Sequence, residues 1–284
     1  MKVTKAIITC GGYATRFLPI TKAIPKEMLP VGNKPVIHYI VDELVEAGIT
    51  DILILIGRGR EALQNYFDAF PELDEYLKKK GIKIETNFNN VNIYSRRVPL
   101  PRGAADNILH AKSFVGKDPF IVAYSDDIFF NENPTKAMIE LFARNKYSYL
   151  TCVPVACKDT HNYGIINTNI KATDCTCLEE GTCSDARRVM QVNYLVEKPK
   201  SNPPSNLAVT GRFLLKPEIF ELIEEDMRMQ YQEVCMVAQL NKLAKRGKLV
   251  AVRSTAFRFD TGEPKGLLAA NNFVSQLLLT PHKG

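Results

Sequence analysis

Cys10-Gly11-Gly12-Tyr13-Ala14-Thr15-Arg16-Phe17-Leu18-Pro19, closed by Lys22-Ala23-Ile24-Pro25-Lys26-Glu27-Met28-Leu29-Pro30, directly follows the short apolar run Ala6-Ile7-Ile8-Thr9. An apolar strand that ends in glycines and then enters an Arg/Lys-rich loop fits a polyphosphate site. Glycine lets backbone N–H groups approach phosphate oxygens with no Cβ in the way. Arg16 can neutralise phosphate as a planar fork and Lys26 as a mobile point charge. A Gly-Gly pair alone would read as a tight turn beside a solvated basic loop. The ordered run of Gly, Arg, Pro and Lys favours the phosphate reading.

Outward from this loop, short apolar runs alternate with helix-like segments. The strand expectations are 4–9, 51–56, 92–95, 119–124, 149–155, 164–167, 189–196, 206–214 and 248–253. Helices are expected at 34–48, 59–69, 72–80, 103–113, 134–145, 217–225, 232–246 and 264–278. Val36, Ile37, Ile40, Val41, Leu44 and Val45 have the spacing of one buried helix face, and Gly48 is a natural stop. Alternation of β and α predicts an α/β fold, a mostly parallel sheet with helices on both faces. Ligands in such sheets bind beyond the carboxyl ends of the strands. The Gly11 loop lies at one such end. Ser125-Asp126-Asp127, after Pro119–Tyr124, lies at another. Carboxylates there suit Mg²⁺, which takes one or two carboxylates plus phosphate oxygens and water.

The chain has 284 residues and is 45% hydrophobic, enough for one sizeable α/β core. No apolar run approaches the ~20 residues of a membrane span. The first residues read at once as strand, so a secretory signal is not expected and the location reads as cytoplasmic. Net charge is +6, from 37 basic and 31 acidic residues, but the charges are scattered and no basic stripe marks a nucleic-acid partner. Seven cysteines do not form an even disulfide framework. Cys175, Cys177 and Cys183 lack the spacing of a zinc site and read as part of a polar insertion loop. His38, His110, His161 and His282 show no triad arrangement, and His38 reads as a packing residue within a helix. The oligomeric state is open, a homo-oligomer included.

Residues 5–60 resemble the N-terminal segment of bacterial UTP–glucose-1-phosphate uridylyltransferases, within the wider sugar-1-phosphate nucleotidylyltransferases. The matching text is Thr15–Pro19, Thr21–Pro30, Asn33-Lys34-Pro35 and Gly57-Arg58-Gly59. Further matches are Ser125-Asp126-Asp127, Tyr163-Gly164-Ile165-Ile166, Val196–Lys200, Gly211-Arg212-Phe213 and Phe259-Asp260-Thr261-Gly262, in family order over almost the whole chain. The resemblance implies a Rossmann-like, mostly parallel mixed sheet of the nucleotide-diphospho-sugar transferase type. It implies one domain over 1–284, with a nucleotide half to about 130, a sugar half over about 131–262 and a C-terminal helix over about 263–284. The implied reaction is attack by glucose 1-phosphate on the α-phosphorus of UTP, with pyrophosphate leaving.

On this reading Asp126 and Asp260 hold Mg²⁺. Arg16 meets the β/γ-phosphates, Lys26 the phosphates near the reacting centre, and Lys198 the sugar phosphate. Gly11, Gly12, Ala14, Thr15, Glu27, Arg96 and Gly103 fall on the nucleotide side, with Glu27 near the base or ribose. Gly164, Glu197, Asn206 and Gly211, with Thr210 as an alternative to the last, fall on the sugar side. The chain departs from the family at Ala14, where glycine is usual, and at Ser125, which replaces a glycine. Arg96 stands where the family places a base-reading Gln, and an Arg only donates hydrogen bonds. The C-terminal element at Gln232–Ala238 keeps Glu233 but has Ala238 in place of Asp. Sister readings are a dTDP-glucose or UDP-N-acetylglucosamine-forming enzyme, or a weakly active regulatory homologue.

Overall fold

The protein is described by a computed structural model over residues 2–82, 88, 91–99, 102–168, 188–229 and 235–279. The Cys175–Cys183 cluster, His282 and residues 232–234 of the expected helix lie outside the described residues. The chain begins with β1 (Lys5–Cys10), three 3₁₀ turns (Thr15–Phe17, Ile20–Lys22, Lys26–Met28), and the short β2 (Pro30–Val31) and β3 (Lys34–Pro35). Next come α1 (Val36–Glu46), β4 (Asp51–Ile56), α2 (Glu61–Phe67), α3 (Pro71–Lys80), β5 (Asn92–Arg97), α4 (Ala104–Leu109) and α5 (Lys112–Val115). These lead to β6 (Phe120–Tyr124), β7 (Asp127–Phe130), α6 (Pro134–Asn145), β8 (Ser148–Pro154), β9 (Gly164–Thr168) and β10 (Val189–Glu197). The last elements are β11 (Leu207–Leu215), α7 (Glu218–Met229), α8 (Met236–Lys245), β12 (Leu249–Arg253), β13 (Phe257–Asp260) and α9 (Pro264–Leu279).

All nine expected strands form, and together they make one sheet of order β5-β4-β1-β6-β11-β8-β12-β10-β9. The first four strands run parallel. Strand β11 then runs antiparallel to both β6 and β8, and only β8 and β12 pair in parallel thereafter. The mixed sheet is therefore parallel in its nucleotide half and largely antiparallel beyond it. Burial on both faces explains why β1 and β4 are continuous apolar runs instead of alternating ones. Ile7 and Leu53 face a core with α4, α7 and α8, whereas Ile8 and Ile54 face one with α1, α6 and α9. Each fully buried aliphatic side chain contributes about 1.5–3 kcal/mol.

Helix α1 buries Val36, Ile37, Ile40, Val41 and Leu44, as their spacing predicts, and Gly48 ends the segment with φ 86°. The expected helix over 103–113 instead breaks into α4 and α5. His38 is buried as expected, with polar partners as well as packing. Its Nδ1 meets the Tyr66 hydroxyl at 2.6 Å and its Nε2 lies 3.1 Å from Asp42. The sequence reading missed the two-stranded ribbon of β7 and β13, in which Asp127 lies opposite Asp260. Both strands are four residues long and carry no turn signal between them, since 126 residues separate them in the chain.

The side chain of Arg212, on the central strand β11, is wholly buried. Its Nε donates to both carboxylate oxygens of Glu43 at 3.0 and 3.1 Å, and its Nη2 to Glu43 Oε2 at 2.8 Å. The remaining donors reach the carbonyls of Tyr124 at 3.2 Å, Gly211 at 3.0 Å and Asp127 at 2.7 Å. Thr135 donates to Glu43 Oε1 at 2.6 Å. The guanidinium thus clasps the loop after β6 on both sides of Asp126. Removing one partner strands a buried charge. Arg212→Met should therefore lose about 3–5 kcal/mol, read from urea midpoints. Arg212→Met combined with Glu43→Gln should recover part of that loss, because no charge is then left alone. An unchanged midpoint in Arg212→Met would remove the pair from the stability of the fold.

Candidate active site

The glycine loop leaves the end of β1 and lines a cleft of about 380 Å³ with Gly57, Val98, Pro99 and Asn107. Gly11, Gly12, Ala14 and Lys26 all face this cleft. Ala14 adopts φ 52° and ψ 39°, the left-handed conformation that glycine takes without cost.

Behind the cleft, Glu27 is wholly buried. Its Oε2 accepts from Arg60, and its Oε1 accepts from the Ser125 hydroxyl at 3.0 Å. Arg60 also donates to the carbonyl of Gly12. Both carboxylate oxygens are engaged inside the protein, which corrects the expectation that Glu27 lies against the base or ribose. It holds the glycine loop and the acidic loop together from behind. Ser125 makes this link with a hydroxyl that a glycine would lack.

A second cleft of about 560 Å³ lies next to the first and is lined by Asp126, Asp260, Gly164, Glu197, Lys198 and Gly211. Lys26 spans the boundary, since its ammonium pairs with Asp126. Burial opposes charge on Lys26, but Asp126 and Glu27 outweigh it and hold the ammonium above its usual pKa. Burial likewise opposes charge on Asp126, and Lys26 holds its carboxyl below the usual value. Asp260 is different. Burial first, then the neighbouring carboxylate of Asp127, push its pKa up to about 6, although Arg258 acts in the other direction.

The β7–β13 ribbon brings Asp260 to Asp126. Thr261 fixes the join, donating to the Asp126 carbonyl from its N–H at 2.7 Å and its hydroxyl at 2.8 Å. A Cβ on Gly262 would lie 2.7 Å from Asp126 Oδ2 and 3.0 Å from Asp260 Oδ1. The two carboxylates therefore converge on a space that only glycine leaves open. Two oxygen donors without thiolate or imidazole suit a hard divalent cation such as Mg²⁺, whose other ligands would be phosphate oxygens and water. Among the described residues no third acidic, His or Cys ligand closes the site. Asp127 is engaged elsewhere: it accepts from the Gly211 N–H at 2.6 Å and from Arg258 at 2.7 and 2.8 Å.

On the far side of this cleft, Glu197 Oε2 lies 3.2 Å from the Cβ position of Gly164. Burial raises the Glu197 pKa, with Lys198 opposing. Lys198 itself sits at φ 45°, a conformation that non-glycine residues rarely adopt and that recurs at functional positions. Arg16 is exposed and lines this second cleft, not the glycine-loop cleft.

Four further expected site residues fall outside the lining of both clefts, and a fifth has its hydroxyl engaged within the protein. Arg96 is exposed on the edge strand β5 and does not line the glycine-loop cleft. Thr15 is exposed in its 3₁₀ turn and lines neither cleft. Gly103 caps α4 at φ 100°, also outside both clefts. Asn206 does not line the sugar-side cleft, and its carbonyl accepts from Val155 N–H at 2.9 Å. Thr210 reaches the second cleft, but its hydroxyl turns to Thr151. The sequence reading missed Arg60, Asn107 and Arg258. Arg60 directly follows the quoted Gly57-Arg58-Gly59, which was its only signal.

The nucleotidyl transferase family model matches residues 5–276. The UTP–glucose-1-phosphate uridylyltransferase of Bacillus subtilis (strain 168) is 36% identical over 273 residues, which are 94% of this chain and 89% of that protein. A crystal structure of UDP-glucose pyrophosphorylase complexed with UDP-glucose superposes with a TM-score of 0.81 at 31% identity, over 97% of this chain and 99% of that one. The UTP-bound UGPase from Acinetobacter baumannii gives a TM-score of 0.82 at 28% identity, covering 98% and 99%.

The cradle between the carboxylates gives a direct test. Gly262→Ala should keep its fold by circular dichroism yet bind Mg²⁺ about tenfold or more weakly in calorimetric titration, since the added methyl occupies the converging space. Parent-like binding would move the cation site elsewhere.

Proposed function

The chain belongs to the UTP–glucose-1-phosphate uridylyltransferase branch of the nucleotidyl transferase family, and on that premise we propose that it forms UDP-glucose and pyrophosphate from UTP and glucose 1-phosphate. The observation that carries this reading is the convergence of Asp126 and Asp260 between the glycine-loop cleft and the cleft of Glu197 and Lys198. One cleft suits a nucleoside triphosphate, the other a sugar phosphate, and their shared wall is where the two substrates would react.

A phosphate oxygen of glucose 1-phosphate forms the new bond to the α-phosphorus, and the bond from that phosphorus to the bridging oxygen of pyrophosphate breaks. The nucleophile is already an anion, so no protein nucleophile or strong base is required. Catalysis rests on positioning and charge neutralisation. Lys26, at the boundary of the clefts, meets the phosphates near the reacting centre. Arg16, exposed at the mouth of the second cleft, receives the charge of the departing pyrophosphate. Lys198 holds the sugar phosphate and Glu197 accepts from sugar hydroxyls, while the backbone of Gly164 and Gly211 lets the ring approach closely. Gly11, Gly12 and Ala14 carry the nucleotide. Mg²⁺ held by Asp126 and Asp260 would supply a clamp for the triphosphate and for charge developing at phosphorus. With Asp126 serving as a cation ligand, Lys26, which pairs with it here, would be available to a phosphate oxygen.

The nucleotide half, about 1–130, and the sugar half, about 131–262, act as one unit across a shared sheet, with the C-terminal helix supporting Asp260. The net charge of +6 suits small anionic substrates, and a cytoplasmic setting is part of the same proposal. A panel of nucleoside triphosphates and sugar 1-phosphates, read by pyrophosphate release, tests the reading. The expected result is Mg²⁺-dependent turnover of UTP with glucose 1-phosphate. A preference for dTTP or N-acetylglucosamine 1-phosphate would move the protein to a sister activity. Asp126→Ala and Asp260→Ala should each lower turnover by about 10²-fold or more, and near-parent turnover by a folded variant would remove that residue from the metal site.

Glu197→Ala should blur discrimination between glucose 1-phosphate and its epimers, because a pocket built to pair hydroxyls rejects sugars that leave it unpaired. Lys198→Ala should raise KM for all sugar 1-phosphates alike. Retained epimer discrimination in Glu197→Ala would overturn its assignment.

A further inference from the structure

The sugar-side cleft contains a hydroxyl that neither the fold nor the reaction described above uses. Tyr124 ends β6, directly before Ser125 and Asp126, and lines the second cleft. It is half-buried, with its ring 5.4 Å from that of Phe213. Gly211 makes room for it, since a Cβ there would lie 2.6 Å from Tyr124 Cβ and 3.1 Å from its Cγ. The Tyr124 carbonyl accepts from Arg212 at 3.2 Å, but the side-chain hydroxyl has no hydrogen-bond partner among the described residues. Nor is it among the polar atoms sealed from solvent without a partner, which leaves it open to the cleft. Burial, then Cys235 and Glu197, hold the phenol above its ordinary pKa, so the proton stays on and the group can donate as well as accept. Both of those neighbours line the same cleft.

The floor of this cleft is apolar, formed by Val209, Phe213, Met236, Val237 and Leu240. Glu197 Oε2 and Val237 Cγ2 lie 3.2 and 3.3 Å from the Cβ position of Gly164, so carboxylate and floor meet at one place. The floor gives a sugar ring surface to pack on but no hydrogen-bond donor, and an ionised carboxylate only accepts. A sugar hydroxyl has lone pairs as well as a proton. Between Glu197 and the floor those lone pairs would lose water and gain nothing, which is costly. Thr210 does not supply the missing donor, because its hydroxyl is turned to Thr151. We propose that the Tyr124 hydroxyl is a specificity determinant of the sugar site, donating to a ring hydroxyl of the hexose that Glu197 holds. The inference rests on the nucleotidyl-transfer reading above and extends it to how the hexose is told from its analogues.

Tyr124→Phe removes one oxygen and keeps the ring against Phe213. UDP-glucose and UDP are titrated calorimetrically into parent and variant, beside thermal unfolding of the ligand-free proteins. Values of kcat/KM are measured for glucose 1-phosphate and its monodeoxy analogues at saturating UTP. The variant should bind UDP-glucose about tenfold more weakly and UDP as the parent does. Its kcat/KM for glucose 1-phosphate should fall by a similar factor. The analogue lacking the paired hydroxyl should be about tenfold poorer than glucose 1-phosphate for the parent and no poorer for the variant, because both deletions remove the same bond. Tm should stay as in the parent, since the fold gives the hydroxyl no partner. A lowered Tm with parent-like UDP-glucose affinity would make Tyr124 a packing residue and overturn the proposal. Unchanged UDP-glucose affinity at any Tm, or equal weakening of UDP and UDP-glucose, overturns it as well. A parent that binds UDP-glucose but releases no pyrophosphate from UTP with any sugar 1-phosphate would overturn the transfer reaction, while the titrations still decide the role of Tyr124.

Discussion

The buried pair of Arg212 and Glu43 is the constraint on which the catalytic geometry depends. Strand β11 lies at the centre of the sheet and α1 packs on one face of it, so the pair crosses from sheet to helix inside the core. Burying two charges costs several kcal/mol per ion, and attraction repays this only where every donor and acceptor is satisfied. Here the guanidinium spends its donors on one carboxylate and three backbone carbonyls. Two of those carbonyls, from Tyr124 and Asp127, flank Ser125 and Asp126 in the chain. The acidic loop is therefore held by its backbone from below, and the Asp126 carboxylate meets Lys26 at the wall of the second cleft.

A second buried ion pair performs the same service for the glycine loop. Glu27 and Arg60 join the 3₁₀ turn of Lys26 to the carbonyl of Gly12, and Ser125 ties that pair to the acidic loop. The two networks meet at adjacent residues, Ser125 through its side chain and Tyr124 through its carbonyl. The glycine loop and the acidic loop thus share one support. Neither Glu27 nor Arg212 needs to touch a ligand for its loss to displace the groups that do.

Three aspartates, Asp126, Asp127 and Asp260, crowd one end of the second cleft. Lys26 satisfies Asp126, and Arg258 satisfies Asp127, leaving Asp260 the least compensated carboxyl, raised to about 6 by burial and its acidic neighbours. A divalent cation at the Gly262 cradle would relieve that repulsion and release Lys26 for phosphate. Two of the five non-glycine residues with positive φ among the described residues, Ala14 and Lys198, lie one in each cleft. Such conformations persist where the surrounding structure over-determines them.

Much of this was legible in the chain itself. Hydrophobic periodicity located all nine strands of the main sheet and the buried face of α1, because burial on one or both faces imposes a repeat that composition cannot hide. The motifs also singled out Lys26, Asp126, Glu197, Lys198 and Asp260, and the fold brings all five to the walls of the two clefts. What the linear order could not decide were relations between residues far apart. Asp260 becomes a partner of Asp126 only through the β7–β13 ribbon, whose strands have no local turn to announce their pairing. Glu27 reads as a ligand contact in the motif and becomes a buried support only when Arg60 and Ser125 close on it. Arg96 occupies the aligned position of a base reader, yet it lies exposed on an edge strand. The sequence by itself determined which elements form and which residue types bring the chemistry, because local burial patterns and motif order are written along the chain. Only the tertiary structure decided which polar groups face ligand and which are consumed inside the protein, because hydrogen-bond satisfaction is settled by whatever the fold brings within about 3 Å.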